Sequence, residues 1–152
     1  MSGDREETLM ALEQEFAILL RRVRRVIGER ARATHESLQP ATYLMLRHVA
    51  AHGPLRASSM AEVFDVDKGA ISRQVSHLAS LGLVEGSPDP VDGRATLLSV
   101  TDEARTRMAD LDAHRRKRLD ERLGQWSDDE LADLVAVLGR YNATVGPPAE
   151  EG

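Results

Sequence analysis

The segment VDKGAISRQVSHLASLGLV, residues 66 to 84, predicts a short helix with two very different faces. Asp67 is a favourable N-cap residue, so we expect the helix to span Lys68 to Ser80. Apolar residues at helical spacing predict a stripe that packs on a core: Ile71, Val75 and Leu78. The opposite face carries short hydroxyls, an amide, an imidazole and two long cations, with no carboxylate. Such a face is unusual in a chain that has more acidic than basic residues.

Two helices are predicted immediately before this segment. Residues 37 to 53 read as a helix with a proline in its first turn and Gly53 at its end. Ser59 and Glu62 have the spacing of a capping box, which predicts that a shorter helix opens there. That helix ends near Asp65, where we expect a left-handed turn residue. The two short helices and the turn between them have the order of a helix-turn-helix motif.

The segment SPDPVDGRATLLSV, residues 87 to 100, predicts the loop and second strand of a hairpin. The strands are expected at 83 to 85 and at 95 to 100. Two prolines stiffen the loop, and Gly93 is expected to supply a turn conformation that other residues resist. The loop contains a single cation, Arg94, and two aspartates. This hairpin would be the wing of a winged helix-turn-helix.

Longer helices are predicted on both sides of this central part. From Leu9 the apolar residues follow at steps of three and four, which is typical of a helix that packs on another helix. Thr101 is expected to cap a long helix that ends near Gln125, and Ser127 with Glu130 forms a capping box for a last helix. The predicted fold is therefore mainly α with a small β-hairpin wing, a winged helix-turn-helix flanked by long helices.

Composition excludes several classes of protein. The chain has 152 residues and no cysteine, so disulfides, thiolate nucleophiles and cysteine-bound zinc are absent. Neither a bilayer-spanning apolar run nor a signal peptide is recognisable, so we expect a cytoplasmic protein without a membrane partner. We expect no enzyme, no cofactor and no metal, because no catalytic motif occurs and the histidines lack ligand spacing: His35, His48, His52 and His114.

Residues 38 to 104 resemble the DNA-binding core of the MarR family of bacterial transcriptional regulators. Two motifs carry this likeness: residues 66 to 84 match the family's recognition helix, and DPVDGRATLLSVT, residues 89 to 101, matches its wing. The chain departs from the family at Asp65, where glycine is frequent. The absence of cysteine excludes the branch of the family that senses peroxide through a thiol.

The resemblance implies a homodimer that binds an imperfect palindrome in double-stranded DNA. It also implies a repressor that is often released by a small phenolic or lipophilic effector. The corresponding parts are an N-terminal dimerisation helix in residues 1 to 36, the DNA-binding lobe in 37 to 100, C-terminal dimerisation helices in 101 to 145, and a disordered tail in 146 to 152.

Each polar residue of the recognition helix has an expected role. Arg73 is the candidate for a guanine edge, and Gln74 and His77 could reach bases or phosphates. Ser72, Ser76 and Lys68 suit phosphate contacts. His77 could equally be a partly buried helix histidine, and Arg73 an ordinary surface cation.

In the wing, Arg94 is the predicted minor-groove probe, as the family's D-x-R pattern suggests. Asp92 is expected to hold its guanidinium extended through a charge-assisted hydrogen bond. Without DNA, Arg94 would be a solubilising side chain of an ordinary turn.

The family's usual effector pocket corresponds here to Phe16, Tyr43, Arg47 and His48. Each of these side chains could instead serve packing alone.

Charge is the main objection to a DNA-binding function. The formal net charge is −5, and residues 56 to 94 have a net charge of −2. Local charge matters more than the average, because affinity depends on the side chains that meet phosphates. The alternative is a winged-helix module that binds another protein and no DNA.

Overall fold

The computed structural model describes residues 3 to 146, so residues 1, 2 and 147 to 152, with most of the predicted tail, lie outside it. The described part contains six helices and three strands. They are α1 Gly3–Thr34, α2 Pro40–His52, β1 Leu55–Arg56, α3 Ala57–Phe64, α4 Lys68–Ser80, β2 Val84–Pro88, β3 Thr96–Val100, α5 Asp102–Arg122 and α6 Asp128–Thr144. The predicted class, mainly α with a small β wing, is confirmed. None of the described helices is both long enough and apolar enough to cross a membrane.

The chain divides into two compact units at Leu111, within α5. The first unit holds α1 to α4, the sheet and the start of α5. Its core is built from apolar side chains of all these elements, and four of the largest are completely enclosed: Leu46, Met60, Ile71 and Leu78. The predicted apolar stripe of α4 is thus confirmed, with Val75 packed half-buried beside it. Burial of each such side chain contributes about 1.5 to 3 kcal/mol.

The turn between α3 and α4 has the predicted geometry. Asp65 ends α3 with φ 50° and ψ 49°, a left-handed conformation that aspartate tolerates better than most residues. Asp67 then caps α4, because its Oδ1 accepts a hydrogen bond of 2.7 Å from the Ala70 N–H. Together these two residues set the direction in which α4 leaves the turn.

The predicted capping box at Ser59 and Glu62 is wrong. α3 begins at Ala57, its N-cap is Arg56, and the Ser59 hydroxyl donates to the Arg56 carbonyl within the first turn. The reason is β1, a strand of two residues that pairs with β3 and brings the chain into α3 earlier than the motif indicated. A strand this short has no periodicity that a sequence pattern can reveal.

The wing is therefore a three-stranded sheet in the order β1-β3-β2, not a simple hairpin. All neighbours are antiparallel, and β2 pairs with β3 from Val84 opposite Val100 to Pro88 opposite Thr96. Gly53, which ends α2 as expected, lies against this sheet. A Cβ at that position would be 2.5 Å from the Val49 carbonyl oxygen and 3.2 Å from the Leu98 carbonyl oxygen, so the missing side chain permits the close approach to both.

The second unit contains the end of α5 and all of α6. α5 ends at Arg122, three residues before the expected end. The predicted capping box of α6 is confirmed, with Ser127 Oγ accepting from the Glu130 N–H and Glu130 Oε2 accepting from the Ser127 N–H. No residue of α6 is buried within its unit, although the helix has an apolar seam: Leu131, Leu134, Leu138 and Tyr141.

An ion pair between Arg56 and Asp89 anchors the loop of the wing. Arg56 Nε donates to Asp89 Oδ2 at 2.8 Å, and Arg56 Nη2 contacts the same oxygen. Asp89 Oδ1 accepts from the N–H groups of Val91 at 2.9 Å and Asp92 at 3.4 Å. The Asp89 side chain is only 8% exposed, so the carboxylate is a buried charge with all its bonding capacity used.

These contacts lower the pKa of Asp89 below its ordinary value of 3.8. The Val91 N–H has the largest effect and the Arg56 hydrogen bond the next, and both outweigh the opposing effect of burial. Because the folded pKa is the lower one, the stabilisation is fully present above pH 3.8 and is lost as the pH falls through the folded value.

We expect Asp89→Asn to lower the free energy of unfolding at pH 7. The difference from the parent protein should shrink as the pH falls below the ordinary carboxyl pKa, as measured by urea unfolding between pH 7 and pH 3. Asp92→Asn is the matched control, since an asparagine there keeps the one acceptor oxygen that the loop uses. A loss of stability in Asp89→Asn that stays constant across this pH range would contradict the assigned role.

Candidate nucleic-acid interface

The open face of α4 displays four of the six predicted recognition residues. Lys68, Ser72, Arg73 and Ser76 are all exposed, and at 100° per residue they fall within one side of the helix. The helix contains two cations and no acid between its first and last residue. The Arg73 side chain extends back towards the start of α4. Its Nη1 lies 3.5 Å from the position that a Cβ on Gly69 would occupy. The N-terminal part of the helix thus combines both cations with exposed hydroxyls, and the Asp67 carboxylate that caps the helix lies beside them, with its Oδ1 3.1 Å from the same Cβ position.

Gln74 and His77, the other two predicted residues, are half-buried and point to other parts of the protein. Gln74 Oε1 accepts a hydrogen bond from the Thr42 hydroxyl on α2. His77 Nε2 lies 3.5 Å from the carbonyl oxygen of Ser37, in the turn before α2. Their expected contact with bases or phosphates assumed free side chains, and the structure shows that both have intramolecular contacts.

The loop of the wing is a compact turn that places Arg94 at its exposed tip. The Asp89 N–H donates to the Ala95 carbonyl, and the Ala95 N–H donates to the Asp92 carbonyl, both at 2.9 Å. The second bond closes a β-turn over residues 92 to 95, with aspartate at the first position, where it is favoured. Gly93 does not have a positive φ, so the expectation that it supplies a special conformation is wrong.

Asp92 contacts Arg94 through the main chain. Its Oδ1 accepts from the Arg94 N–H at 3.2 Å, which is the geometry of an Asx turn. The expected bond was to the Arg94 guanidinium, whereas in the structure Asp92 bonds to the Arg94 main chain. Asp92 fixes the backbone from which the Arg94 side chain extends.

The charge objection is weakened by the positions of the acids. Asp67 caps α4, Asp89 pairs with Arg56, and Asp92 shapes the turn. These three carboxylates are occupied by local structure, whereas Lys68 and Arg73 are exposed on the acid-free face. The average charge of this region therefore does not describe the surface that α4 presents.

A cleft of about 500 Å³ lies between α1 and α2 and includes two of the four predicted effector residues. Tyr43 and Arg47 line it, but Phe16 and His48 do not. His48 instead stacks on His52, with ring centroids 4.5 Å apart, and meets the edge of Phe64. The remaining lining comes from the second half of α1 and from α2: Leu19, Arg22, Val23, Val26, Ile27, Arg30 and Leu44. The Arg30 Nε is buried and has no hydrogen-bond partner among the described residues.

Sequence reasoning missed the partners that hold the predicted residues in place. Thr42 and Arg56 lie 32 and 33 positions away from the side chains that they bind. The sequence does contain one signal for Asp89, since an acid between two prolines in a short loop is a common device for fixing a turn. No comparable signal identified Thr42 or Arg30.

Comparison with known proteins agrees with this geometry. The sequence model described as the MarR family matches residues 37 to 95. The chain is 30% identical over 135 residues to the uncharacterized HTH-type transcriptional regulator YdgJ of Bacillus subtilis, which covers 88% of this chain and 80% of YdgJ.

Two solved structures share the fold. The crystal structure of MarR superimposes with a TM-score of 0.63 at 26% identity and covers 88% of both chains. FabT of Streptococcus pneumoniae, solved in complex with DNA, has a TM-score of 0.75 at 12% identity and covers 90% of this chain and 96% of its own. With an acid-free exposed face on α4, a three-stranded wing and these relatives, the chain belongs to the MarR family of transcriptional regulators and has its DNA-binding winged helix.

Proposed function

We propose that the protein is a homodimeric, cytoplasmic repressor that binds an imperfect palindrome in double-stranded DNA and is released by a small phenolic or lipophilic effector. The observation that carries this proposal is the exposed face of α4, which has two cations, two serines and no acid in a chain of net charge −5. A face of this composition suits the phosphates and base edges of a major groove. FabT, which has the same fold, was solved in complex with DNA.

The proposed DNA contact of each residue follows from the chemistry of its side chain. Arg73 reads a guanine edge, since its guanidinium can donate two parallel hydrogen bonds. Lys68 contacts a phosphate near the start of α4, where the helix dipole also favours negative charge, and Ser72 and Ser76 donate hydrogen bonds to phosphates. Arg94 inserts into the minor groove, held in place by the turn that Asp92 and Asp89 shape.

In the proposed organisation, residues 37 to 100 form the DNA-binding lobe, and residues 1 to 36 with 101 to 145 provide the dimer interface. Apolar side chains on α6 support this, because a helix without buried residues needs a partner to cover its seam. The N-terminal half of α1 also has exposed apolar residues: Leu9, Met10 and Leu12. In the dimer the two copies of α4 would lie about 34 to 36 Å apart, one turn of DNA.

The cleft between α1 and α2 is the proposed effector site. Its lining is mostly aliphatic, and Tyr43, Arg30 and Arg47 supply hydrogen-bond donors. The unpartnered Arg30 Nε is a donor that a phenolic or other oxygen-bearing ligand could satisfy.

We expect Arg73→Ala to weaken binding to a duplex selected by the parent protein from a random pool by about 1 to 3 kcal/mol, and to relax its sequence preference.

Lys68→Ala should lower the affinity for all duplexes alike and flatten the dependence of affinity on salt. Arg94→Ala should reduce affinity without changing thermal stability, because its side chain is exposed.

Fluorescence anisotropy at several salt concentrations measures these effects. Failure of the parent protein to enrich any palindrome, together with salt-independent binding, would favour the alternative of a protein-binding module. Equal affinities of Arg73→Ala and the parent protein for the selected duplex would refute the role of Arg73.

We expect light scattering to give twice the mass of one chain for the parent protein and a lower mass for Leu138→Glu. A carboxylate in the seam of α6 would have to lose its hydration at a covered interface. Ala136→Glu, at an exposed position on the opposite side of the same helix, is the control for added charge. A monomeric parent protein at concentrations that saturate DNA would exclude the proposed dimer.

We expect Arg30→Met to bind the selected duplex like the parent protein but to lose its release by effector. The parent protein is first tested against a panel of phenols and phenolic acids, and compounds that release the labelled duplex are counted as active. The variants are then tested with these active compounds. Glu29→Gln, an exposed neighbour on α1, is the control. Equal release of Arg30→Met and the parent protein by every active compound would move the site away from this cleft.

A further inference from the structure

A hydrogen bond joins the recognition helix to α2. The Thr42 hydroxyl donates to Gln74 Oε1 at 2.5 Å, across 32 positions of sequence. Thr42 is 1% exposed and faces the core, whereas Gln74 is half-buried and lies directly after Arg73. The bond therefore connects an enclosed side chain of α2 to the helix that is proposed to read DNA.

This bond determines what Gln74 can do at a DNA surface. The specific recognition of adenine by glutamine needs both the amide oxygen, as acceptor, and the amide nitrogen, as donor. The oxygen of Gln74 is engaged by Thr42, which has no solvent to turn to if the bond is broken. The oxygen keeps a second lone pair, so the limit is geometric: turning the whole carboxamide towards a base edge would break its bond to Thr42 on α2 and remove the acceptor of a buried hydroxyl.

The other contacts of α4 do not fix its rotation equally well. Its core side is held by Ile71 and Leu78, and apolar contacts of this kind have no preferred direction. A hydrogen bond weakens steeply when its angle departs from linearity. The contact of His77 with the Ser37 carbonyl is longer, at 3.5 Å. The bond from Thr42 is thus the stronger directional constraint of the two.

We propose that Gln74 is a positioning residue, which acts with Thr42 to fix the rotation of α4 on α2 and so aims Arg73 at its base pair. This inference rests on the proposed DNA-binding function but changes the part of one residue in it. Gln74 contributes to sequence preference without itself contacting a base.

The test uses Thr42→Val, which replaces the hydroxyl with a methyl group at a position that is buried and not available to DNA. The probe is the duplex that the parent protein selects from a random pool. Affinity should fall about two- to tenfold, the effect expected of one hydrogen bond. The affinity of Gln74→Met, which keeps the length of the side chain, should fall by the same factor. The affinity of the double variant should be no lower than that of either single variant. Thr42→Ser keeps the hydroxyl and should bind like the parent protein.

Two readouts separate positioning from a general loss of stability. The first is discrimination at the base pair that Arg73 reads, which is the pair whose alteration weakens binding by the parent protein but not by Arg73→Ala. Discrimination between the selected duplex and the duplex altered at this pair should fall in both Thr42→Val and Gln74→Met. The second is amide hydrogen exchange of the free protein, which should be faster in α4 of both variants and unchanged in α6. Thermal melting checks that each variant is folded at the assay temperature, and Thr42→Ala serves as a second variant without the hydroxyl.

Normal affinity and discrimination in Thr42→Val, combined with a loss in Gln74→Met, would overturn the proposal and show that Gln74 contacts DNA directly. Additive losses in the double variant would also overturn it, because two residues that act through one bond cannot be independent. If the parent protein selects no duplex, the proposed function fails, and hydrogen exchange still decides whether the bond holds α4.

Discussion

Burial of one side of α4 is the constraint on which the rest of the structure depends. Ile71 and Leu78 are enclosed by the core, so the opposite side of the same helix must face outwards. In a helix of 13 residues, only the positions on this outer side are available for contact with another molecule. The absence of acids from α4 has a physical meaning only because the fold exposes that side.

Acidic residues support this arrangement without facing the same way. Asp65 takes the left-handed conformation that ends α3, Asp67 satisfies an N–H at the start of α4, and Asp89 holds the loop of the wing. Carboxylates are good at these tasks because they accept hydrogen bonds from main-chain N–H groups and from arginine. An acidic protein can thus present a basic helix face, since much of the negative charge nearby is used to build turns.

α2 connects the parts of the first unit. Thr42 bonds to the recognition helix, the next residue, Tyr43, lines the cleft with α1, and Gly53 at the end of the helix lies against β3. A change in the position of α2 would therefore alter its contacts at the cleft, with α4 and with the wing. A ligand could use this helix only by binding one of its positions better than another.

Local spacing in the sequence was enough to predict most of the helices, the turn between α3 and α4, and the class of the fold. Asp65, Asp67, Gly53 and the capping box at Ser127 act on residues within a few positions, so their effects can be read from local spacing. The exposed cations of α4 and the wing followed from helical periodicity and from the turn residues around Arg94.

The tertiary structure shows which polar side chains are exposed and which are hydrogen-bonded within the protein. β1 has two residues and exists because β3 pairs with it, and the partners of Gln74 and Asp89 are more than 30 positions away in sequence. Periodicity gives the side of a helix on which a residue lies, but it does not give the neighbour that packs against that side. For this reason Arg73 and Gln74, adjacent in sequence and alike in polarity, have different surroundings: one is exposed, and the other is bonded to the core.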